Sequence, residues 1–418
     1  MSVVSIPPSI EDFGDPTWDP HKAFDDSQGE HLTDTYARIE ALWREAPVHE
    51  GEYRVLMGLS PEVTLAGPRH FTVFGHDLVQ QVYSDPEVFS NRALARLLGP
   101  GFGRTVSTMD GVEHTRYRRL FQRAFMPNVV AGMSNTFVQP VVDDLIGPIA
   151  QRGKADLVAE FTQLFPFHII YRQLGLPPDD IAVFHKLAVT LTVSGDHLDK
   201  AIEASRKLGA YYEALTEHRY AHPGDDLIST LTQIEVEGDR LPKDVLVSFL
   251  RQLINAAGDT TYRSTSSLLA ALLTHPEQFD AVRRDRSLIP QAIEETLRWE
   301  GPVIIGFRET TRNTELGGMK IPAGSIVHVC NGSASRDPSR YENPHAFNIF
   351  RPIQTRHMAF AYGAHVCVGQ HLARLEMTRA LNAVLDRLPN LRLDPDMPPP
   401  HIRGANMRMP AHLHVVFG

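Results

Sequence analysis

The sequence predicts a mainly α fold with small β elements, and three observations carry that expectation. Helical periodicity runs through residues 33–46, 140–151, 157–174, 200–219 and 278–299. Strand-like runs are few: HFTVFG at 70–75, two β-rich runs flanking a PAG turn within 315–330, and HLHVVF at 412–417. They do not alternate regularly with the helices, as a doubly wound sheet requires. Finally, Lys243 to His275 contains no proline and reads as one central helix between Pro242 and Pro276, roughly 50 Å long at 1.5 Å per residue.

Composition narrows the function classes. The 418 residues are 42% hydrophobic, enough for a large core. Lys and Arg total 41 against 50 Asp and Glu, a net charge of −9 that disfavours nucleic acid and anionic membranes as partners. The opening MSVVSIPPSIEDFGDP lacks a signal-peptide pattern, and no apolar stretch reaches the roughly 18–20 residues of a membrane span. A cytoplasmic protein is expected. No repeat, linker or composition shift marks a boundary, so residues 1–418 read as a single domain, expected to act as a monomer. With only two cysteines a disulfide framework is not expected; each is a buried small residue, a metal ligand or a nucleophile.

Taken in order, the elements carry the chemistry. TYARIEALWREAPV supplies the first helix, and turns at GLPPDD (175–180) and HPGDD (222–226) punctuate the middle of the chain. EHTRYRRLFQR at 113–123 sets His114 and Arg118 four residues apart on one helix face. Arg116, Arg119 and Arg123 share a face turned away from that pair at about 100° per residue, a basic patch on an acidic protein or a merely solvated face. At the centre of the long helix, NAAGDTTY gathers the weak helix formers Gly258, Asp259, Thr260 and Thr261. A local kink or widening is expected there, with a polar solvent-facing stripe as the alternative. Cys330, in the strand-like VHVC, reads as buried and inert. Cys367 is different: FAYGAHVCVGQHL sets it between Gly363 and Gly369, just ahead of a helix.

The spacing of Phe360, Gly363, His365, Cys367 and Gly369, F-x-x-G-x-H-x-C-x-G, resembles the haem-binding loop of the cytochrome P-450 family. Further matches follow the family's order. Glu295-Thr-Leu-Arg298 resembles its E-x-x-R, followed by RDP at 336–338 and PHAF at 344–347. Ala256-Ala257-Gly258-Asp259-Thr260 resembles its oxygen-activating A/G-G-x-D/E-T, departing at Ala257 where glycine is usual. The sequence departs again at Ala346, where many relatives carry an arginine that joins the E-x-x-R network; Arg351 or Arg336 could replace it.

The resemblance implies a cytochrome P-450 fold with haem b held between the long helix and the Cys367 loop. Cys367 would be the iron's axial ligand, its thiolate suited to O–O cleavage and favoured by the positive end of the following helix. Glycines would let backbone approach the porphyrin face. His114, Arg118, Arg308 and His365 would anchor the propionates, and Asp259 and Thr260 would hold water and deliver protons. The implied activity is monooxygenation: one atom of O₂ enters a hydrophobic small-molecule substrate, typically as a hydroxyl. Electrons would come from a separate ferredoxin and an NAD(P)H-dependent reductase. A haem-thiolate peroxygenase, or a haem-based sensor or binding protein, is the alternative; neither uses Asp259–Thr260. The substrate pocket is expected to involve 91–108, 303–307, parts of 185–197, Ala256, Ala257, Asn406 and Met407. Arg92 and Arg96 could hold a substrate carboxylate or face water.

Overall fold

The computed structural model describes residues 9–29, 31–193, 197–352 and 356–418. The long helix is there as Lys243–Thr274. It runs through the middle of the molecule and packs against the helices Phe165–Gln173, Leu198–Ala221, Ile289–Trp299 and Gln370–Arg387. Most of its side chains are therefore buried, and its sequence lacks a simple amphipathic stripe for that reason.

The α-helical assignment runs unbroken through Gly258–Thr261, so the expected widening is not found there. Instead the hydroxyls fold back onto their own helix. Thr260 Oγ1 donates to the Ala256 carbonyl at 3.0 Å, Ser264 Oγ to Thr260 and Thr265 Oγ1 to Thr261, both at 2.8 Å. Gly258 is needed for packing. A Cβ there would lie 2.4 Å from Phe167 Cε1, and Phe167 is fully buried and stacked on His185 at 4.2 Å. Gly258→Ala is expected to destabilise the protein by about 1–3 kcal/mol through overpacking, a loss larger than the roughly 1 kcal/mol gained in helix propensity. Urea unfolding checks the sign.

The main sheet has five strands, in the order Val48–Glu50, His70–Val73, Ile326–Cys330, Ile305–Thr310, Phe89–Ser90. Ile326–Cys330 runs parallel to His70–Val73 and antiparallel to Ile305–Thr310. The PAG turn thus joins two strands that do not pair with each other. Met319–Ile321 pairs backwards with Thr314–Leu316 across Gly317 and Gly318, both at positive φ. Two expected helices are also divided. Residues 278–299 form Pro276–Arg284, a 3-10 turn Arg286–Leu288 and Ile289–Trp299; Asp285 accepts from the Ser287 N–H at 2.9 Å at the break. Residues 157–174 start as a π-helical turn, Val158–Thr162, before Phe165–Gln173.

Glu295 and Arg298 form a bidentate pair at 2.7 and 2.8 Å, both nearly inaccessible at 4% and 3% exposed. Arg298 also donates to the carbonyls of Ser335, Pro344 and Ala346 at 2.8–3.1 Å. Arg351 supplies the cation that Ala346 lacks. Its Nε lies 3.3 Å from Glu295 Oε2, and its guanidinium also reaches the Ala346 and Asn343 carbonyls. Arg336 belongs to a different group, bonding Glu300 and the Trp299 carbonyl. This network fixes the chain leading into the cysteine loop.

Candidate active site

The Cys367 loop and the long helix enclose one cavity of about 450 Å³. Ala256, Ala257, Thr260, Thr261 and Ser264 line it from the helix, which their i, i+1, i+4, i+5, i+8 spacing puts on one face. Phe360, His365, Cys367 and Gly369 line it from the loop. A second cavity of about 290 Å³ shares Leu97, Ala256, Thr260 and Asn406 with the first and includes Asp259.

The cysteine is held by backbone. Its N–H donates to the Phe360 carbonyl at 3.0 Å. Cys367 is exposed toward the cavity, yet the protein around its sulfur shuts out bulk water and raises the thiol's pKa, while the Gly369 N–H, the charges of Arg118 and Arg374, and the Gln370 N–H act to lower it. These donors arise where the helix Gln370–Arg387 begins. Cys330 has no such setting: it is fully buried in its strand, and burial pushes its thiol up to about 11.

The two loop glycines have different reasons. A Cβ on Gly369 would meet nothing closer than Cys367 Sγ at 3.9 Å, so its outer side is open to the cavity. Gly363 has a conformational reason. Its φ is +73°, and a Cβ would lie 2.3 Å from the Tyr83 carbonyl oxygen, so it shapes the loop against its neighbour.

Four basic residues gather at one end. Arg118 and Arg308 line the cavity, and neither has an ion pair among the described residues. Arg118 donates to the Val366 carbonyl at 2.5 Å; Arg308 donates to the Phe307 carbonyl at 2.7 Å and lies over the Tyr83 ring. Burial lowers both guanidinium pKa values. His114 sits behind the wall, its ring 3.9 Å from that of His365, and its Nε2 is buried without a partner. Burial, then His365 and Arg118, push it down to about 4, so it is neutral at pH 7. His365, expected as an anchor, is already engaged. Asn91 donates to its Nδ1 at 3.0 Å, and its Nε2 lies 3.7 Å from Asp110 Oδ1. Burial opposes ionisation of Asp110, but His365, Ser90 and Asn91 outweigh it and hold the carboxyl at about 2.

These residues fit haem. A buried Arg308 and a half-buried Arg118, neither with a carboxylate partner among the described residues, and an orphaned His114 nitrogen suit the two propionates, and the sulfur in the same cavity suits the iron.

Above the loop, Thr260 lines the cavity, but Asp259 does not reach it and faces the second one. Asp259 Oδ1 accepts from Arg263 Nε at 3.0 Å, with both side chains buried. Sequence reasoning missed this pair, although its i,i+4 spacing was a usable signal. It also missed Glu376, which lines the cavity at 2% exposed. Burial drives the Glu376 carboxyl well above the usual range, against a single bond from Thr261.

Other expectations change. Arg116 and Arg119 pair with Asp239 and Glu237 of the hairpin Glu235–Val236/Asp239–Arg240, so the arginine face is largely neutralised; Arg123 alone of the three has no ion pair among the described residues. Arg92 and Arg96 line neither cavity, and Arg96 Nε bonds Glu309 at 2.9 Å. Val303, Ile305, Phe307 and Asn406 do line the first cavity, and Leu191–Val193 and Met407 the second. Residues 194–196 of the expected pocket wall lie outside the described residues.

Comparison with known proteins agrees with this geometry. The Cytochrome P450 family model matches residues 180–411. Cytochrome P450 107B1 of Saccharopolyspora erythraea is 34% identical over 381 residues, 89% of this chain and 91% of that one. The vitamin D3 dihydroxylase of Streptomyces griseolus is 34% identical over 336 residues, 78% and 82% of the two chains. Among solved structures, cytochrome P450 CYP109Q5 from Chondromyces apiculatus superposes with a TM-score of 0.81 at 29% identity, covering 93% of this chain and 96% of that one. CYP109E1 from Bacillus megaterium, in complex with testosterone, gives 0.80 at 26%, covering 92% and 99%. The chain belongs to the cytochrome P450 family: it is a haem-iron monooxygenase that takes O₂ and a small-molecule substrate.

Proposed function

We propose that residues 1–418 act as a single domain, a cytoplasmic monomer that hydroxylates a hydrophobic substrate, with haem b held by Cys367. The observation that carries this is one cavity holding the Cys367 sulfur, Thr260 and two guanidiniums without carboxylate partners. Haem, when bound, supplies the iron that takes up electrons and O₂. Cys367 would ligate the iron through its sulfur; Arg118, Arg308 and His114 Nε2 would hold the propionates, with His365 seating the His114 ring. Phe360 and Gly369 would face the group from the loop, Gly363 sets the loop's turn, and Ala256 lines the cavity from the long helix.

Electrons come from a separate ferredoxin and its NAD(P)H-dependent reductase. With haem in the first cavity, the second, lined by Leu97, Phe102, Leu191, Val193 and Met407, supports a hydrophobic substrate.

Proton delivery rests on two adjacent residues in different states. Thr260 gives up its bond to the Ala256 carbonyl to hold a water in the cavity. Asp259 exchanges Arg263 for water, reaching solvent through the second cavity. In the reconstituted system, Thr260→Ala is expected to keep haem and substrate binding but to yield several-fold less product per NAD(P)H, with more hydrogen peroxide. Asp259→Asn is expected to slow turnover overall. Full coupling in Thr260→Ala would remove the hydroxyl from the mechanism and leave the haem assignment standing.

A further inference from the structure

Far along the chain from the cysteine loop, the strand pair Lys154–Asp156 and His414–Val416 brings three potential metal donors together. Asp156 and His414 are direct cross-strand partners, and His412, two residues before His414, projects to the same side. The donor atoms of Asp156, His412 and His414 all lie within 4.8 Å of one another. His412 Nδ1 is 2.7 Å from Asp156 Oδ2, and the two imidazoles stack nearly parallel, 10° apart with centroids 5.3 Å apart.

We propose that Asp156, His412 and His414 form a site for a divalent zinc-like ion, with water completing the coordination. Zinc takes imidazole nitrogen and carboxylate oxygen at about 2.0–2.2 Å, which puts tetrahedral donors roughly 3.3 Å apart. The three side chains reach that spacing by small rotations.

The carboxylate is already oriented, as an outer layer of donors does in metal sites. Its other oxygen, Oδ1, accepts from the Leu413 N–H at 2.9 Å and the Val158 N–H at 3.0 Å, leaving Oδ2 toward the histidines. His412 is 66% exposed and Asp156 13%, so an ion can enter from solvent onto a seated anion. The nearby Glu160 is taken by Arg152 and by the Asp156 N–H. A bound ion would tie the last strand to the π-helical turn Val158–Thr162, whose Thr162 meets Ser266 of the long helix at 2.7 Å.

The test is equilibrium dialysis of tag-free, haem-loaded protein against Zn²⁺ alone, with thermal unfolding alongside. The unmodified chain is expected to retain one tight equivalent and to unfold at a higher temperature with Zn²⁺. His412→Ala and His414→Ala, made singly so that Asp156 keeps its backbone bonds, are each expected to weaken that equivalent at least tenfold, since even outer-layer changes cost 10–100-fold. Their midpoints without Zn²⁺ and their haem spectra verify folding. The stacked pair of His218, in the last turn of the helix Leu198–Ala221, and His222, the residue that follows it, is the competing location. A His218→Ala/His222→Ala protein is expected to bind as the unmodified chain does. Absence of a tight equivalent, its persistence in His414→Ala, or its loss in the His218/His222 variant would each overturn the proposal.

Discussion

Cys367→Ala, reduced and exposed to carbon monoxide, is expected to lose the strongly red-shifted Soret band of a haem-thiolate protein, whereas Cys330→Ala keeps it. The contrast follows from the two environments. Cys367 lines the cavity with the Gly369 and Gln370 N–H groups directed at its sulfur. Cys330 is fully buried in a strand, and its thiol is pushed up to about 11, so it is neutral at working pH and lines neither of the two cavities. Difference spectra of the two variants decide it. An unchanged band in Cys367→Ala would sink the ligand assignment.

The second large effect is on stability. Arg298→Ala is expected to cost about 3–5 kcal/mol, because it leaves the buried Glu295 carboxylate without its bidentate partner. It also strips the Ser335 and Pro344 carbonyls of their donor and leaves the Ala346 carbonyl with Arg351 alone. Arg351→Ala is expected to cost less, about 1.5–3 kcal/mol, the range of hydrogen bonds to charged groups. Glu295 then keeps Arg298 and the Asn348 N–H at 2.8 Å. Urea unfolding of both variants reads the ranking. Equal losses would mean that the two arginines share the charge evenly.

What was legible in the sequence follows how local each feature is. Cys367 and its glycines, the Glu295/Arg298 pair and the His114/Arg118 pair are each written within a few residues, and each lies in or beside the expected structure. Choosing Arg351 over Arg336 was not legible, since both are near in sequence and only the folded chain shows which turns toward Glu295. The neutralised arginine face failed for the same reason: Glu237 and Asp239 are over a hundred residues from Arg116 and Arg119. Gly258 was read as a weak point of its helix, but its reason is the Phe167 ring, on another element. Other misses were avoidable. Asp285, Ser287 and Pro290 spell a helix break within residues 278–299, and Asp259 and Arg263 stand at pairing distance on one helix.

Arg351 carries one more consequence. It reaches back past Ala346 to touch Glu295, the Ala346 carbonyl and the Asn343 carbonyl together, so the stretch between positions 346 and 351 acts as a measured spacer. Surface connections ordinarily tolerate added or removed residues at little cost. Here a single inserted residue would carry the guanidinium away from its carboxylate, which makes this short irregular stretch as intolerant of length change as a helix interior.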